Sequence, residues 1–364
     1  MNYMAQAISL AKLALGQVSP NPAVGAVLVK DDAIVGQGYT QPPGSAHAEI
    51  VALKQAGEKS RGSVMYVTLE PCCHYGRTSP CTRSIITAGV SEVHFPIIDP
   101  NPLVSGKGKE ELEKAGIKTY VGERAAEAKE VNEAFIKYIT TGIPFVTAKF
   151  AVSLDGKIAT RSGDSKWISG DAARKQVQRL RYISDAIMTG VNTILVDDPR
   201  LTIRFGDRGG TTRKQALRVI VDCRGRTPPA ARVFNEQGHT LVVLGKKAAS
   251  ENKARLAQAG AELLELPSSK GFVDVKQLLK ALGERQITSV LVEGGGTLLG
   301  SLFDNGLVDK VVAFIAPIII GGEDARTAVA GKGVEKVIDS IKLKRVKMEK
   351  IGDDIMVTGY VREA

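Results

Sequence analysis

Apolar positions recur along this chain with two periods, and their alternation outlines an architecture. Residues 24–29 and 34–39 are short apolar runs on either side of Asp31-Asp32, a pattern that predicts a β-hairpin. Residues 48–56 then have helical spacing, 64–69 read as a buried strand, and 82–88 as a helix stopped by Gly89. A strand over 93–98, a helix over 109–115 ending at Gly116, a strand over 118–121 and an amphipathic helix over 125–139 follow. Thr140-Thr141-Gly142-Ile143-Pro144 interrupts the pattern, which places a boundary there and predicts two domains, 1–142 and 143–364.

The second pattern restarts with a strand over 145–151 and a polar loop containing Asp155-Gly156-Lys157, Ser165 and Trp167. Ser169 or Asp171 is the expected cap of a helix running to 183. Strands are expected at 186–189, 218–222, 240–244, 262–266, 289–293 and 310–320, with helices between several of them. Residues 206–213, rich in Gly, Arg and Thr, read as a mobile loop, and 342–350 as a strand with a solvated, charged face. Strands separated by helices imply layered α/β domains. No internal repeat is visible, so the two halves are expected to differ.

Composition narrows the functional classes. At about 150 residues per domain, a length of 364 residues suits two domains or three. With 43% hydrophobic and 24% charged residues, large-scale disorder is excluded. No apolar run reaches the roughly 18 residues of a membrane span, and residues 1–15 lack the basic and apolar regions of a secretory signal. The expectation is a cytoplasmic protein with no membrane partner. Aromatics make up 5% with one tryptophan, which argues against a base-stacking surface and a nucleic-acid partner. Lys and Arg outnumber Asp and Glu by 49 to 39; this excess serves solubility or an anionic ligand, and charge alone does not choose. A homo-oligomer is compatible with all of these readings.

Three of the four cysteines, Cys72, Cys73 and Cys81, fall within ten residues, a layout suited to metal binding rather than to a disulfide framework. His47-Ala48-Glu49, Pro71-Cys72 and Cys81 form the His-x-Glu…Pro-Cys…Cys arrangement of zinc-dependent deaminases. One imidazole and two thiolates suit tetrahedral zinc with a fourth position for water. Glu49 is then the catalytic proton carrier, and His47, Cys72 and Cys81 are the metal ligands. Zinc deaminases commonly place two residues between the cysteines. Here eight intervene, Cys73 to Pro80, a polar and cationic insert suited to covering a phosphorylated substrate. Cys73 is a competing ligand, but adjacent residues rarely reach one metal together. Cys223 is expected to be inert. In the second half, Val292-Glu293-Gly294-Gly295-Gly296-Thr297 follows a strand and opens a helix over 298–303, a geometry in which free N–H groups attract phosphate. It is not the Gly-x-Gly-x-x-Gly pattern, and a ligand-free turn fits it equally.

Ser19-Pro20-Asn21-Pro22-Ala23-Val24-Gly25, His47-Ala48-Glu49, Thr68-Leu69-Glu70-Pro71-Cys72, His74-Tyr75-Gly76-Arg77-Thr78, Pro80-Cys81 and Asp99-Pro100-Asn101-Pro102 occur in that order. Lys149, Ser153-Leu154-Asp155-Gly156-Lys157, Gly163 to Ile168, Asp197-Asp198-Pro199 and Val292 to Gly295 continue the series. Together they resemble the bifunctional deaminase/reductase family of riboflavin biosynthesis over nearly the whole chain. Cys73 departs from that family, where a small residue such as serine is more usual.

The resemblance implies a cytidine-deaminase-like three-layer α/β/α domain followed by a dihydrofolate-reductase-like α/β domain. It implies zinc-dependent hydrolytic deamination of 2,5-diamino-6-(5-phosphoribosylamino)pyrimidin-4(3H)-one. NADPH-dependent reduction of the ribosyl group of 5-amino-6-(5-phosphoribosylamino)uracil to ribityl follows. Carried over by motif, Asn21, His74, Arg77, Asp99 and Asn101 would hold the deaminase substrate. NADPH would meet Ala151, Trp167, Thr193, Asp197, Gly295, Gly296, Thr297, Leu298, Leu299, Gly300 and Ser301. The reductase substrate would meet Ser165, Arg181, Leu201, Arg204 and Glu293, with Arg181 and Arg204 as a phosphate clamp. Lys149 and Asp155 are further candidates for supporting hydride transfer. NADPH rather than NADH rests on the resemblance alone. The rivals are a tRNA or nucleobase zinc deaminase with an unrelated C-terminal domain, and a binding protein with structural zinc, for which only Cys73 and His74 offer a fourth ligand.

Overall fold

Alanine at helical spacing starts the chain: α1 (Tyr3–Ala14) buries Met4, Ala7, Ile8, Ala11 and Ala14 along one stripe, and Asn2 caps it by accepting the Ala5 N–H at 2.7 Å. A stripe made mostly of alanine has a weak apolar signature, and the sequence pattern predicts no element there. The computed structural model describes residues 2–75, 79–204 and 215–362. They fall into two compact units, Met1–Gly142 and Ile143–Ala364.

In the first unit β1 (Gly25–Lys30) and β2 (Ala33–Tyr39) form the expected hairpin, with Asp31 and Asp32 both at positive φ in the turn. α2 (Ala48–Ala56), β3 (Val64–Val67), α3 (Cys81–Ala88), β4 (Glu92–Phe95), α4 (Lys107–Lys114) and β5 (Lys118–Val121) follow. The strands make one sheet in the order β2-β1-β3-β4-β5, antiparallel around β1 and parallel from β3 onward. Alternation sends Ala26, Leu28, Met65, Val67, Val93 and Phe95 to one face, against α2, α3 and α4. It sends Val27 and Val29 to the other face, against α1. The result is a three-layer α/β/α unit. At Gly25 any Cβ would meet Ala7 O at 2.0 Å, so the close crossing of α1 over β1 requires glycine.

The helix expected over 125–139 is two helices, α5 (Ala125–Val131) and α6 (Glu133–Thr141), separated at Asn132. The cause is chemical. The buried Asn132 side chain clasps Ala23, accepting its N–H at 2.8 Å and donating to its carbonyl at 3.0 Å.

The second unit is built on β6 (Phe145–Ser153), α7 (Asp171–Ile183), β7 (Ala186–Gly190), α8 (Val191–Asp197), β8 (Leu217–Val221), β9 (Thr240–Gly245), α9 (Ser250–Gln258) and β10 (Glu262–Leu266). A small hairpin, β11 (Ser268–Ser269) and β12 (Phe272–Val273), leads to α10 (Val275–Glu284), β13 (Ser289–Glu293), α11 (Gly296–Asp304) and β14 (Lys310–Ala316). β15 (Lys344–Ile351) and β16 (Asp354–Tyr360) complete it. Nine strands form one sheet, β10-β9-β8-β7-β13-β6-β14-β16-β15, parallel from β10 to β14 and antiparallel beyond. Apolar helix faces cover both sides: α10 and α11 pack on one cluster, α8 and α9 on another.

Two local expectations change. Neither Ser169 nor Asp171 caps α7; Gly170 holds that position, with its N–H donated to Asp354 Oδ2 at 2.8 Å. The strand expected over 310–320 stops at Ala316, because Pro317 has no N–H to continue the ladder. β15 is the exposed, charged strand the alternation predicts. Residues 206–213 lie outside the described residues. No helix among the described residues is long and apolar enough to cross a membrane.

Replacing Asn132 with alanine leaves a buried N–H and a buried carbonyl of Ala23 unpaired, at about 1–3 kcal/mol each. Asn132→Ala is therefore expected to lower the urea midpoint for loss of first-unit activity, read by following inactivation against urea concentration.

Candidate active sites

Strand direction delivers the first unit's motifs to one end of its sheet. β1 and β3 are antiparallel, so the segment entering β1 lies beside the segment leaving β3: Thr68 N donates to Gly25 O at 3.0 Å, and Gly25 N to Thr68 Oγ1 at 3.1 Å. β3 and β4 are parallel, so the exit of β4 arrives at the same place, with Glu70 N bonded to Ile97 O at 3.2 Å. The exit of β2 joins them through Thr40 N and Val24 O at 2.9 Å. Asn21, His47, Cys72 and Asp99 all stand on these four segments.

His47 is the N-cap of α2 and uses no side-chain capping bond, which leaves its ring available for other contacts. Pro80 caps α3 and makes Cys81 its first, fully buried residue. Cys81 Sγ lies 3.3 Å and Cys72 Sγ 3.6 Å from His47 Nδ1, and the three ligand atoms lie within 4.8 Å of one another. Tetrahedral zinc with ordinary Zn–S and Zn–N bonds separates such nitrogen and sulfur atoms by about 3.6 Å. The donor set and its spacing therefore fit zinc.

The electrostatics have the matching character. A hydrogen bond to Cys72 lifts the His47 imidazole to about 9 against the opposing effect of burial. A hydrogen bond from Cys81 lowers Cys72 to about 4, and Cys81, the other member of that pair, is pushed up. A zinc ion takes the place of these shared protons. Glu49, in the first turn of α2, is enclosed, and burial raises its carboxyl pKa while the His47 charge opposes the rise. Cys73 is only partly buried, and burial raises its thiol pKa. It is not part of the His47–Cys72–Cys81 group.

Around this centre the other motif residues take different positions. Asp99 is buried; burial raises it to about 6, and its Oδ1 accepts the Asn101 N–H at 2.8 Å. Asn101 uses its side-chain oxygen on Leu103 N at 3.0 Å, which is turn chemistry. His74 has a buried Nδ1 with no hydrogen-bond partner among the described residues. Asn21 sits in the turn closed by its own N–H on Val18 O at 2.8 Å. Arg77 lies outside the described residues.

Glu70 is the residue whose role the sequence pattern did not reveal. It is buried, and its carboxylate accepts three backbone N–H groups: Asp99 at 3.0 Å, Gly106 at 3.0 Å and Lys109 at 2.9 Å. It ties the loop carrying Asp99 and Asn101 to the strand exit carrying Cys72. The signal was a carboxylate between Leu69 and Pro71, directly before a metal ligand.

In the second unit a cleft of about 900 Å³ opens at the ends of β6, β7 and β13. Ala151, Trp167, Thr193, Asp197, Gly295, Gly296, Thr297 and Leu299 line it, as do Ser165, Arg181, Arg204 and Glu293. Leu298 and Ser301 line a smaller neighbouring cavity instead. Gly300 lines neither; its missing Cβ would meet Ala330 O at 2.1 Å, so it serves close packing. Leu201 is buried in a hydrophobic cluster and does not line the cleft.

Gly294 and Gly295 have φ of 77° and 79°, which non-glycine residues rarely adopt, and they turn the chain into α11. The N–H groups at the start of that helix suit a pyrophosphate, and the cleft beside them is large enough for a nicotinamide nucleotide. Trp167 is 73% exposed, with the Arg174 guanidinium 4.5 Å from its ring centre. Ser165 Oγ donates to Asp197 Oδ1 at 2.7 Å.

Arg181 and Glu293 make a buried two-bonded pair, Nε–Oε1 at 2.6 Å and Nη2–Oε2 at 2.9 Å, and Arg181 Nη1 donates to Thr202 O at 3.0 Å. Arg181 is thus committed to holding Glu293, because a buried carboxylate needs a cation. Arg181 still lines the cleft, whose wall carries further cations at Arg204, Lys157 and Arg174. Burial lowers the pKa of Lys149 at the cleft, with Glu293 opposing and Arg181 adding to the effect. Asp155 does not line the cleft; it accepts Ile320 N at 3.1 Å and Gly321 N at 2.7 Å and so fixes a loop.

Residues 144–357 match the family described as RibD C-terminal domain, and residues 1–97 match the cytidine and deoxycytidylate deaminase zinc-binding region. Over 98% of its length the chain is 44% identical to the riboflavin biosynthesis protein RibD of Aquifex aeolicus, covering 97% of that protein. The chain belongs to the RibD family. It is 40% identical to RibD of Escherichia coli, with 97% of each chain covered. Among solved structures, RibD of Acinetobacter baumannii superposes with a TM-score of 0.88 at 39% identity, covering 98% of this chain and 97% of that one. A Thermotoga maritima protein described as a diaminohydroxyphosphoribosylaminopyrimidine deaminase/5-amino-6-(5-phosphoribosylamino)uracil reductase superposes at 0.86 and 36% identity, with the same coverage. The likeness spans both units, which disfavours a deaminase with an unrelated appended domain.

Zinc binding by a RibD-type centre requires a neutral imidazole and thiolates, so protons compete with the metal. We expect one zinc per chain by metal analysis, lost as pH falls, and Cys72→Ser to lower the zinc content. Retention of full zinc by Cys72→Ser would exclude Cys72 as a ligand.

Proposed function

We propose that the motif residues form two active sites that act in succession on one phosphorylated ribosylaminopyrimidine, first exchanging a ring amino group for oxygen, then opening the ribosyl ring. The observation that carries the reading is the His47–Cys72–Cys81 triangle beside an enclosed glutamate, on a chain that continues into a cleft lined by a glycine turn at a helix start.

In the first site, bound zinc supplies an activated water at neutral pH. Deamination consumes one water and releases one ammonia, so a proton must reach the departing nitrogen. Glu49 holds and moves that proton. Its buried carboxyl binds a proton more tightly than an exposed one, which suits a group that takes up and passes on a proton. Asp99 and Asn101, on the loop tied down by Glu70, face the pyrimidine or its ribose, and Asn21 reads the ring edge. His74, with its unpartnered Nδ1, and Arg77 meet the phosphate.

In the second site, NADPH supplies the hydride that reduces C1′ of the ribosylamine. The departing ring oxygen takes a proton. Lys149 is placed at the cleft with its pKa lowered by burial, and so releases a proton more readily than an ordinary lysine. Glu293, fixed by Arg181, is a rigid acceptor for sugar hydroxyls. Arg204 holds the phosphate from the cleft wall. Both ligands, a phosphorylated intermediate and a reduced dinucleotide, are kept inside cells, which supports a cytoplasmic location.

The test follows ammonia release and NADPH oxidation in one vessel with the diaminopyrimidine ribosyl phosphate as substrate. Ammonia is expected without NADPH, and oxidation only after ammonia release has begun. Glu49→Gln is expected to keep zinc and lose ammonia release by about 100-fold or more. Oxidation of NADPH before any ammonia appears would reverse the proposed order. Arg204→Ala is expected to raise KM for the reduction with kcat little changed.

A further inference from the structure

The segment 201–204 belongs to no strand of the sheet, yet its backbone is held at successive residues. Leu201 and Ile203 bury their side chains in one hydrophobic cluster, and Leu201 has a φ of 51°, a value bulky residues rarely adopt. Such backbone persists only where the surroundings over-determine it. Here side chains do so. Arg181 Nη1 donates to Thr202 O at 3.0 Å. Gln215 accepts the Ile203 N–H at 2.9 Å and donates to the Ile203 carbonyl at 3.4 Å. Gln178 Oε1 accepts the Arg204 N–H at 2.7 Å.

The holders come from two directions. Gln178 and Arg181 stand one turn apart on α7 and share a face, so the segment runs along the helix in the opposite chain direction. Gln215 lies just before β8 and ties the segment to the entry of the sheet. Its stem is itself confined, since a Cβ on Gly238 would meet Gln215 Cβ at 2.8 Å. Gln178 and Arg204 both line the large cleft, whereas Gln215 does not. Among the described residues no carboxylate pairs with Arg204, so its exposed guanidinium is open to an anion. A flexible arginine binds a phosphate with less loss of freedom when its backbone is already fixed.

We propose that Gln178 is a positioning residue for the reductase substrate: together with Gln215 it fixes the backbone at Arg204 and so sets how tightly the substrate phosphate is held. The proposal rests on the reading that Arg204 binds that phosphate. Gln178 acts through Arg204 and takes no part in hydride transfer. Without the glutamine oxygen the Arg204 N–H loses its acceptor, and the guanidinium spends time in positions away from the phosphate. Affinity then falls, while the reaction of bound substrate does not. Gln215 lies off the cleft, so its influence on substrate can pass only through the segment it clasps.

The experiment uses the full-length, zinc-loaded chain and follows NADPH oxidation with 5-amino-6-(5-phosphoribosylamino)uracil, with ribose 5-phosphate as a competing fragment. Gln178→Met and Gln215→Met keep the length of the side chain and remove its hydrogen bonds. Each is expected to raise KM, and the inhibition constant of ribose 5-phosphate, about 10-fold with kcat unchanged. The unchanged kcat also shows that the variants are folded; should one fail to fold, the other carries the same test. Each is then combined with Arg204→Ala, where a residue that works through Arg204 adds less than about twofold. A further rise of about 10-fold in the double variant overturns the proposal, as does a loss in kcat equal to the loss in KM, or a wild-type KM in the single variants. If Arg204→Ala by itself leaves KM and ribose 5-phosphate inhibition unchanged, the phosphate reading of Arg204 falls and the proposal falls with it.

Discussion

Strand register is the constraint on which both sites depend. A slip of one residue turns every side chain of a strand to the opposite face. In the first unit the pairings Ala26↔Val67 and Tyr66↔His94 set where the strands exit, and those exits carry the cysteine, aspartate and asparagine motifs. In the second unit the parallel pairings of β13 with β6 and β7 bring Lys149 and Glu293 level across neighbouring strands. The first unit's motif residues stand just beyond the strands, whereas Lys149 and Glu293 stand on the strands themselves, so the sheets set the spacing in both.

Three buried glutamates show how environment assigns different work to one side chain. Glu70 gives its two oxygens to three backbone N–H groups and serves as a fixed anchor. Burial would raise the pKa of Glu293, but Arg181 and Lys149 together bring it below the usual carboxylate range, so it stays charged. Glu49 has no such full compensation, and its pKa stays raised. Only the last is suited to carry a proton. Removing the cation from Glu293 would leave an isolated buried charge, a change that typically costs about 3–5 kcal/mol.

Groups suited to anions in the second unit come from both backbone and side chains. The glycine turn presents N–H groups whose geometry is independent of sequence beyond the need for positive φ at Gly294 and Gly295. Arg224, Arg226 and Lys270 add positive side-chain charge around the adjoining cavity. The basic excess of the chain thus has local uses, and its overall sign alone does not reveal them.

Much was legible in the sequence because it depended on short-range pattern. The strands at 118–121, 262–266 and 289–293 and the helix at 48–56 are found at the residues their apolar spacing and flanking glycines indicate. The His47, Glu49, Cys72 and Cys81 set is recognisable because metal chemistry restricts which residue types serve and how far apart they stand. What escaped were features produced by contacts distant in sequence: the break at Asn132 made by Ala23, the alanine-striped α1 that must cross Gly25, and Glu70 holding Asp99. The commitment of Arg181 to Glu293, 112 residues away, belongs with these, as does the burial of Leu201 away from the cleft. The sequence by itself determined the element types and the chemical alphabet of each site, since both follow from local periodicity and side-chain chemistry. Which donor meets which acceptor was decided by the tertiary structure alone, because a hydrogen bond or ion pair depends on a few ångströms of separation that chain folding sets.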